Sequence, residues 1–225
     1  MQHRDTGSLL RSGVAQLGLS LSEDQIQLLL QYLGLLDRWN TAYNLTAVRD
    51  PREQVVRHLL DSLSVLSAFE DLQRSAPVRL TCLDVGTGAG IPGLILALVM
   101  PDTHWILLDS NGKKTRFLVQ CCHTLGLNNV HVVHGRLESF SPEGPIDIVI
   151  SRAFTQLRQM TAWLVHPDLQ SAKLLAMKGQ LPQAEIEALP APWVVERIDR
   201  LQVPFLEEAR HLLVLSKTER NKADQ

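Results

Sequence analysis

The sequence predicts an α/β protein: a mostly parallel, doubly wound sheet that follows a helical extension and ends in an antiparallel hairpin. Three observations predict it. From residue 80 onward, short apolar runs alternate with segments of helical period, the pattern of parallel strands joined by crossover helices. The first of those runs opens into a turn carrying three alternate glycines, Gly86, Gly88 and Gly90. Two strand-like runs close the chain at 194–203 and 211–215, and the residues between them, Pro204 to Arg210, are too few for a helix. We therefore expect two parts, a helical extension over 1–75 and the α/β domain over 76–225.

Taken in order, residues 1–20 are polar with weak periodicity and read as a short helix or a mobile end. Ser22 with Gln25 forms a capping box, and Ile26, Leu29, Leu30, Leu33 and Leu36 recur at helical spacing. The pattern breaks over Trp39 to Thr46, and Asp50-Pro51 opens a second helix with the stripe Val55, Val56, Leu59, Leu60, Leu63 and Leu66. His58 and Asp61 flank that stripe, read either as a hydrogen-bonded pair on the helix surface or as ligand-facing groups. After Ala76-Pro77 the strands are expected at 80–85, 104–109, 130–134, 146–150 and 173–177. Helices are expected at about 91–100, 113–125, 157–166 and 182–189.

At 225 residues and 45% hydrophobic, the chain holds one full domain and a modest extension. The formal net charge of −2 argues against capture of free nucleic acid by bulk charge and leaves room for a local basic patch. No apolar run approaches the ~20 residues that span a bilayer, and no signal-type segment opens the chain, so we expect a cytoplasmic protein without membrane contact. Cys82, Cys121 and Cys122 fall in no metal-binding spacing, so no metal is expected and the thiols are expected to be reduced.

The glycine turn fits a nucleotide-type cofactor in two registers. Gly88-Ala89-Gly90-Ile91-Pro92-Gly93 fits the dinucleotide pattern, and Asp84-Val85-Gly86-Thr87-Gly88-Ala89-Gly90 fits the acidic-x-Gly-x-Gly-x-Gly pattern of S-adenosylmethionine (SAM) enzymes. Asp84, placed to meet a ligand's amino group, favours SAM. So does the terminal hairpin, a mark of SAM-dependent methyltransferases within the Rossmann-like folds. Asp109, ending the second strand, is expected either to accept hydrogen bonds from ribose hydroxyls or to cap the next helix. Leu137 and Glu138 follow the third strand, where a SAM site holds adenine; Leu137 suits packing on the ring, and Glu138 is otherwise an ordinary surface acid.

The fourth strand ends in Ser151-Arg152-Ala153-Phe154 in place of the Asn/Asp-Pro-Pro-aromatic tetrad of enzymes that methylate base amino groups, which disfavours that reaction. Arg152 suits gripping a carboxylate or phosphate and Phe154 suits stacking on a base; an ion pair and a core position are the plainer alternatives. Lys178 adds a cation at the end of the fifth strand, and Lys113, Lys114 and Arg116 open the helix after Asp109. No Ser-His-Asp, paired-carboxylate or metal constellation stands out, so no catalytic residue is assigned; Arg152, Phe154, Lys178 and His58 are candidates for a place near the reacting base. The absence fits methyl transfer to guanine N7, whose lone pair is free at neutral pH and needs orientation, not a base.

With these residues in view, the chain resembles the RsmG family, also called glucose-inhibited division protein B, bacterial enzymes that methylate a guanine N7 in small-subunit (16S) ribosomal RNA. The resemblance rests on Asn44-Leu45-Thr46, Arg57 to Leu63, Asp84 to Gly93, Leu107 to Ser110 with Lys113 and Lys114, Val149 to Ala153, Met177 to Gly179 and Arg210 to Leu212. It implies SAM as cofactor, with contacts carried over onto Gly86, Ile91, Leu137, Glu138 and Arg152. It also implies a segment over 44–63 that shapes an RNA-facing mouth, which favours a site role for His58. The expected substrate is 16S rRNA, as the small subunit or an assembly intermediate, and the protein is expected to be a monomer.

Overall fold

The computed structural model describes residues 2–75, 79–152 and 156–218. A seven-stranded sheet carries the fold, in the order β3-β2-β1-β4-β5-β7-β6. Its strands are β1 (Thr81–Val85), β2 (His104–Asp109), β3 (Val130–His134), β4 (Ile148–Arg152), β5 (Lys173–Lys178), β6 (Trp193–Leu201) and β7 (Arg210–Lys217). The first five pair in parallel, and β7 pairs antiparallel with both β5 and β6. The doubly wound sheet and the terminal hairpin are therefore present as the sequence predicts. Cys82, Leu83, Leu107, Val149, Leu174 and Leu175 are all fully buried, because helices cover both sheet faces and apolar side chains on either side leave water.

Among the described residues seven α-helices precede or interleave the strands up to β3: α1 (Gln2–Gln16), α2 (Glu23–Tyr43), α3 (Pro51–Gln54), α4 (Asp61–Leu63), α5 (Leu66–Ser75), α6 (Gly93–Val99) and α7 (Gly112–Leu125). α8 (Leu157–Trp163) and α9 (Gln183–Glu187) follow β4 and β5. Ser22 and Gln25 close the capping box at the start of α2. The helix does not break at Trp39. It runs on to Tyr43 because Trp39 stacks against Tyr43 and Phe117, with ring centroids 5.2 and 5.7 Å away, and it ends only where Asn44 turns left-handed at φ 49°.

The second expected helix is three pieces. Asp50 caps α3 through the Arg52 and Glu53 amides, a π-helical stretch follows over Val55–Leu60, and α4 completes it. A turn at Ser64 and Val65 then starts α5, which apolar spacing alone did not separate from the preceding stripe. α1 is a regular helix, where the sequence left a short helix or a mobile end.

The N-terminal helices share one continuous apolar core with the sheet. Leu10, Tyr32, Leu36 and Leu59 are fully buried in the same cluster as Leu94, Trp105 and Phe117. Tyr32 donates its hydroxyl to the Ala89 carbonyl at 2.8 Å, so α2 grips the glycine turn directly. No helix among the described residues is long and apolar enough to cross a membrane.

Candidate functional site

β1 runs out at the carboxyl edge of the sheet, and the chain must reverse sharply there to enter α6. Gly86, Gly88 and Gly90 take φ of 66°, 62° and 88°, a region that side chains with a Cβ rarely adopt. Gly93 is required for a different reason: a Cβ there would lie 2.6 Å from both Asp84 Oδ2 and Leu107 Cδ2. Asp84, fully buried, ties the turn together, with Oδ2 accepting from the Thr87 hydroxyl at 2.6 Å and the Gly93 amide at 2.8 Å. Burial raises its carboxyl to about 6 against those two donors, and its Oδ1 has no partner. That oxygen is closed to solvent, so Asp84 acts here on the backbone of the turn.

A groove of about 400 Å³ opens beside the turn, lined by Gly86, Asp109, Leu137, Glu138, Arg152 and Trp163 among others. Asp109 does not cap α7; Asn111 does, by accepting from the Lys113 amide. The Asp109 carboxylate instead accepts from the Gly88 and Asn111 amides at 2.9 and 2.8 Å and has Lys114 3.8 Å away. Each of its oxygens keeps a further lone pair for a ligand hydroxyl. Leu137 is buried and Glu138 exposed in a short 3₁₀ turn that also lines the groove. Asp84 is buried behind the turn, Ile91 is buried in the core, and Gly88 and Gly90 form the turn itself, so these four surround the groove without lining it.

Arg152 is the last residue of β4 and lines a second cavity as well, of about 260 Å³, shared with Asp61, Met177, Lys178, Gly179, Leu201, Arg210 and His211. Its guanidinium donates to the Arg57 carbonyl at 2.7 Å and to Asp61 Oδ2 at 2.8 Å. Arg57 lies in the π-helical stretch, where its carbonyl is reached by this donor from outside the helix. Asp61, 1% exposed, also receives Arg210 through Oδ1 at 3.0 Å, so one buried carboxylate holds two arginines from different strands. Lys178 meets Glu185 at 3.0 Å.

His58 and Asp61 are not the surface pair that their spacing allows. His58 is buried and meets the Thr46 hydroxyl at 2.9 Å, while Asp61 faces the arginines. Burial, and then the nearby Arg152, push the His58 imidazole down to about 4, so it is neutral at pH 7. Phe154 lies outside the described residues. Asp61, which the sequence offered with His58 as either a surface pair or a ligand-facing group, lines the second cavity, and Arg210, which entered only through the motif Arg210 to Leu212, is the site residue to which sequence reasoning gave no role. Among the described residues no group of His, Cys, Asp and Glu is placed to hold a metal ion. Larger hollows of about 780 Å³ open over β2 and β3 and between α1 and α2, and neither touches Gly86 or Arg152.

This geometry can be set beside known proteins. A family model described as GidB, rRNA small subunit methyltransferase G, matches residues 25–213. Ribosomal RNA small subunit methyltransferase G of Marinobacter nauticus is 50% identical over 213 residues, covering 95% of this chain and 96% of the relative. That of Pseudomonas aeruginosa is 48% identical over 209 residues, covering 93% and 94%. Among solved structures, magnesium protoporphyrin IX methyltransferase from Synechocystis PCC 6803 with bound SAM aligns with a TM-score of 0.55 at 18% identity, over 88% of this chain and 99% of that one. A SAM dependent methyltransferase from Aquifex aeolicus aligns with a TM-score of 0.52 at 18% identity, over 76% and 96%. Both share the fold.

Proposed function

The chain belongs to the GidB family, that of rRNA small subunit methyltransferase G, and we propose that it uses SAM to methylate N7 of one guanine in 16S ribosomal RNA. The observation that carries this reading is the meeting, at Arg152, of a glycine-turn groove with a cavity lined by cations. The first suits a nucleoside cofactor and the second an anionic polymer.

The residues present fit SAM. Asp84, buried behind the turn, holds the glycine backbone in shape for the cofactor through Thr87 and Gly93; Asp109 suits the ribose hydroxyls; Leu137 and Glu138 suit the adenine; Gly86 leaves room for close backbone approach. SAM, when bound, supplies a methyl group on a sulfonium. The chain supplies orientation: N7 of guanine already carries a free lone pair, so no residue has to remove a proton, and rate comes from holding the base in line. Arg152 suits this task because Asp61 and the Arg57 carbonyl fix its guanidinium from behind. Lys178 and Arg210 suit the RNA backbone, while neutral His58 is a packing and positioning group under the mouth. We further assign residues 1–75 as an extension that buttresses a methyltransferase domain at 76–225, acting as a cytoplasmic monomer on the small subunit or an assembly intermediate.

The test is mass spectrometry of nucleosides from purified 16S rRNA of a strain lacking the protein. Restoration of one 7-methylguanosine by the intact chain and not by Asp84→Ala is the expected result. An unchanged level in the deletion strain would reject the reading.

A further inference from the structure

We propose that Phe205, in the loop joining β6 to β7, is a stacking platform for a base of the substrate RNA beside the reacting guanine. The proposal rests on the reading of the protein as an rRNA methyltransferase. β6 ends at Leu201 and β7 starts at Arg210, paired with each other and, through Lys178 opposite His211, with the carboxyl end of β5. The loop between them therefore stands on the edge of the sheet where the glycine turn and Arg152 lie. Leu201, Arg210 and His211, its two ends, line the cavity that holds Asp61, Arg152 and Lys178.

The loop is pinned so that one ring is displayed. Val203 is 7% exposed, Leu206 packs against the main core, and the Leu206 amide closes a turn onto the Val203 carbonyl at 3.1 Å. Glu208 binds Arg57 at 2.6 Å, fastening the loop to the π-helical stretch that also receives Arg152. Between these anchors Phe205 is 50% exposed. Its φ is 67°, in the left-handed region where an aromatic residue is rare and strained, and such strain persists where surrounding anchors hold it.

A half-exposed ring on a strained backbone contributes less to folding than a buried one. It gives single-stranded RNA a π-face, and stacking on aromatic side chains is the usual way unpaired bases are held. The charges nearby fit that division. Arg152, Lys178 and Arg210 on the cavity wall suit phosphates, whereas the exposed acid Glu207 beside Phe205 does not, and Glu208 is taken up by Arg57, which leaves a base as the group the ring can meet.

Small subunits purified from a strain lacking the enzyme serve as substrate. Phe205→Ala is expected to raise the KM for subunits about tenfold, with kcat and SAM affinity within twofold of the intact protein, and Phe205→Trp to restore KM. Phe205→Gly relieves the backbone, so it should match or exceed the wild-type melting temperature and still lose subunit affinity. A benzoylphenylalanine at 205 should crosslink to 16S rRNA. An unchanged KM in Phe205→Ala, a loss that follows thermal instability, or a crosslink to a ribosomal protein would each overturn the proposal. Absence of methylation by the intact protein would instead reject the functional reading beneath it.

Discussion

The two halves of the site are built in opposite ways. The turn at the heart of the cofactor half comes from one short stretch, Asp84 to Asp109, in which strand, turn, helix and next strand follow in sequence; Leu137, Glu138 and Arg152 complete the groove from further along the chain. The cationic half is assembled from α4, β4, β5 and β7, so that Asp61, Arg152, Lys178 and Arg210 meet only after the sheet has formed. The first holds its shape through backbone conformation and the buried carboxylates of Asp84 and Asp109, the second through ion pairs between distant elements. The difference teaches that the turn of a cofactor site can be written locally, while the cationic cavity here depends on the whole topology.

The largest expected effect breaks the assembled half. Asp61→Ala strands Arg152 and Arg210 beside a void, and loss of a shared buried partner is expected to cost about 3 kcal/mol, read by urea or thermal unfolding. A cost near zero would mean that the arginines are held by water as well as by Asp61.

Next comes the buried acid of the local half. The folded value for Asp84, about 6, lies above its ordinary 3.8, so its contribution to stability is full below 3.8 and is lost as the pH rises through about 6. Asp84→Asn should therefore be more stable than wild type by about 2–3 kcal/mol at pH 7, and the gap should close by pH 4. His58 runs the other way: its contribution is full above 6.5 and is lost as the pH falls towards about 4, so the wild-type profile alone would hide both. SAM affinity should fall below pH 6 in wild type as Asp84 takes up a proton.

Gly93→Ala sharpens the contrast. Its Cβ would press on Asp84 and Leu107, and overpacking of about 1–3 kcal/mol should appear together with weakened SAM binding, although the residue touches no ligand. Tyr32→Phe removes the hydroxyl that α2 lends to the Ala89 carbonyl, a loss of about 1 kcal/mol by denaturant titration. At the foot of the scale, breaking the exposed Arg11 and Glu23 pair by Arg11→Ala should leave the melting temperature unchanged within error.

The same contrast explains what the sequence made legible. Alternating runs and the short link from Pro204 to Arg210 specified the sheet and its terminal hairpin, because periodicity and chain length are local quantities. Gly86, Gly88 and Gly90 announced a turn that needs positive φ, and Asp84 with Asp109 bracketed it. The pairing of Asp61 with Arg152 and Arg210 was not legible, since the residues lie 91 and 149 positions apart and no local pattern links them. The π-helical stretch at Val55–Leu60 was hidden for a related reason: an apolar stripe reports which side chains face the core and is nearly blind to a one-residue change in hydrogen-bond register. Trp39 to Tyr43 read as a break because the stripe ends there, yet stacking on Phe117 carries the helix on.

The most direct test of the division between the two halves is a paired measurement of SAM affinity by calorimetry and of KM for small subunits, on Asp109→Ala and Arg210→Ala. The account predicts that Asp109→Ala weakens SAM binding about tenfold or more and barely moves KM for the subunit, while Arg210→Ala does the reverse, each effect resting on one to three lost hydrogen bonds or phosphate contacts. If both variants weakened SAM binding alike and left subunit affinity alone, the cavity at Arg210 would belong to the cofactor, and the assignment of the assembled half to RNA would be wrong.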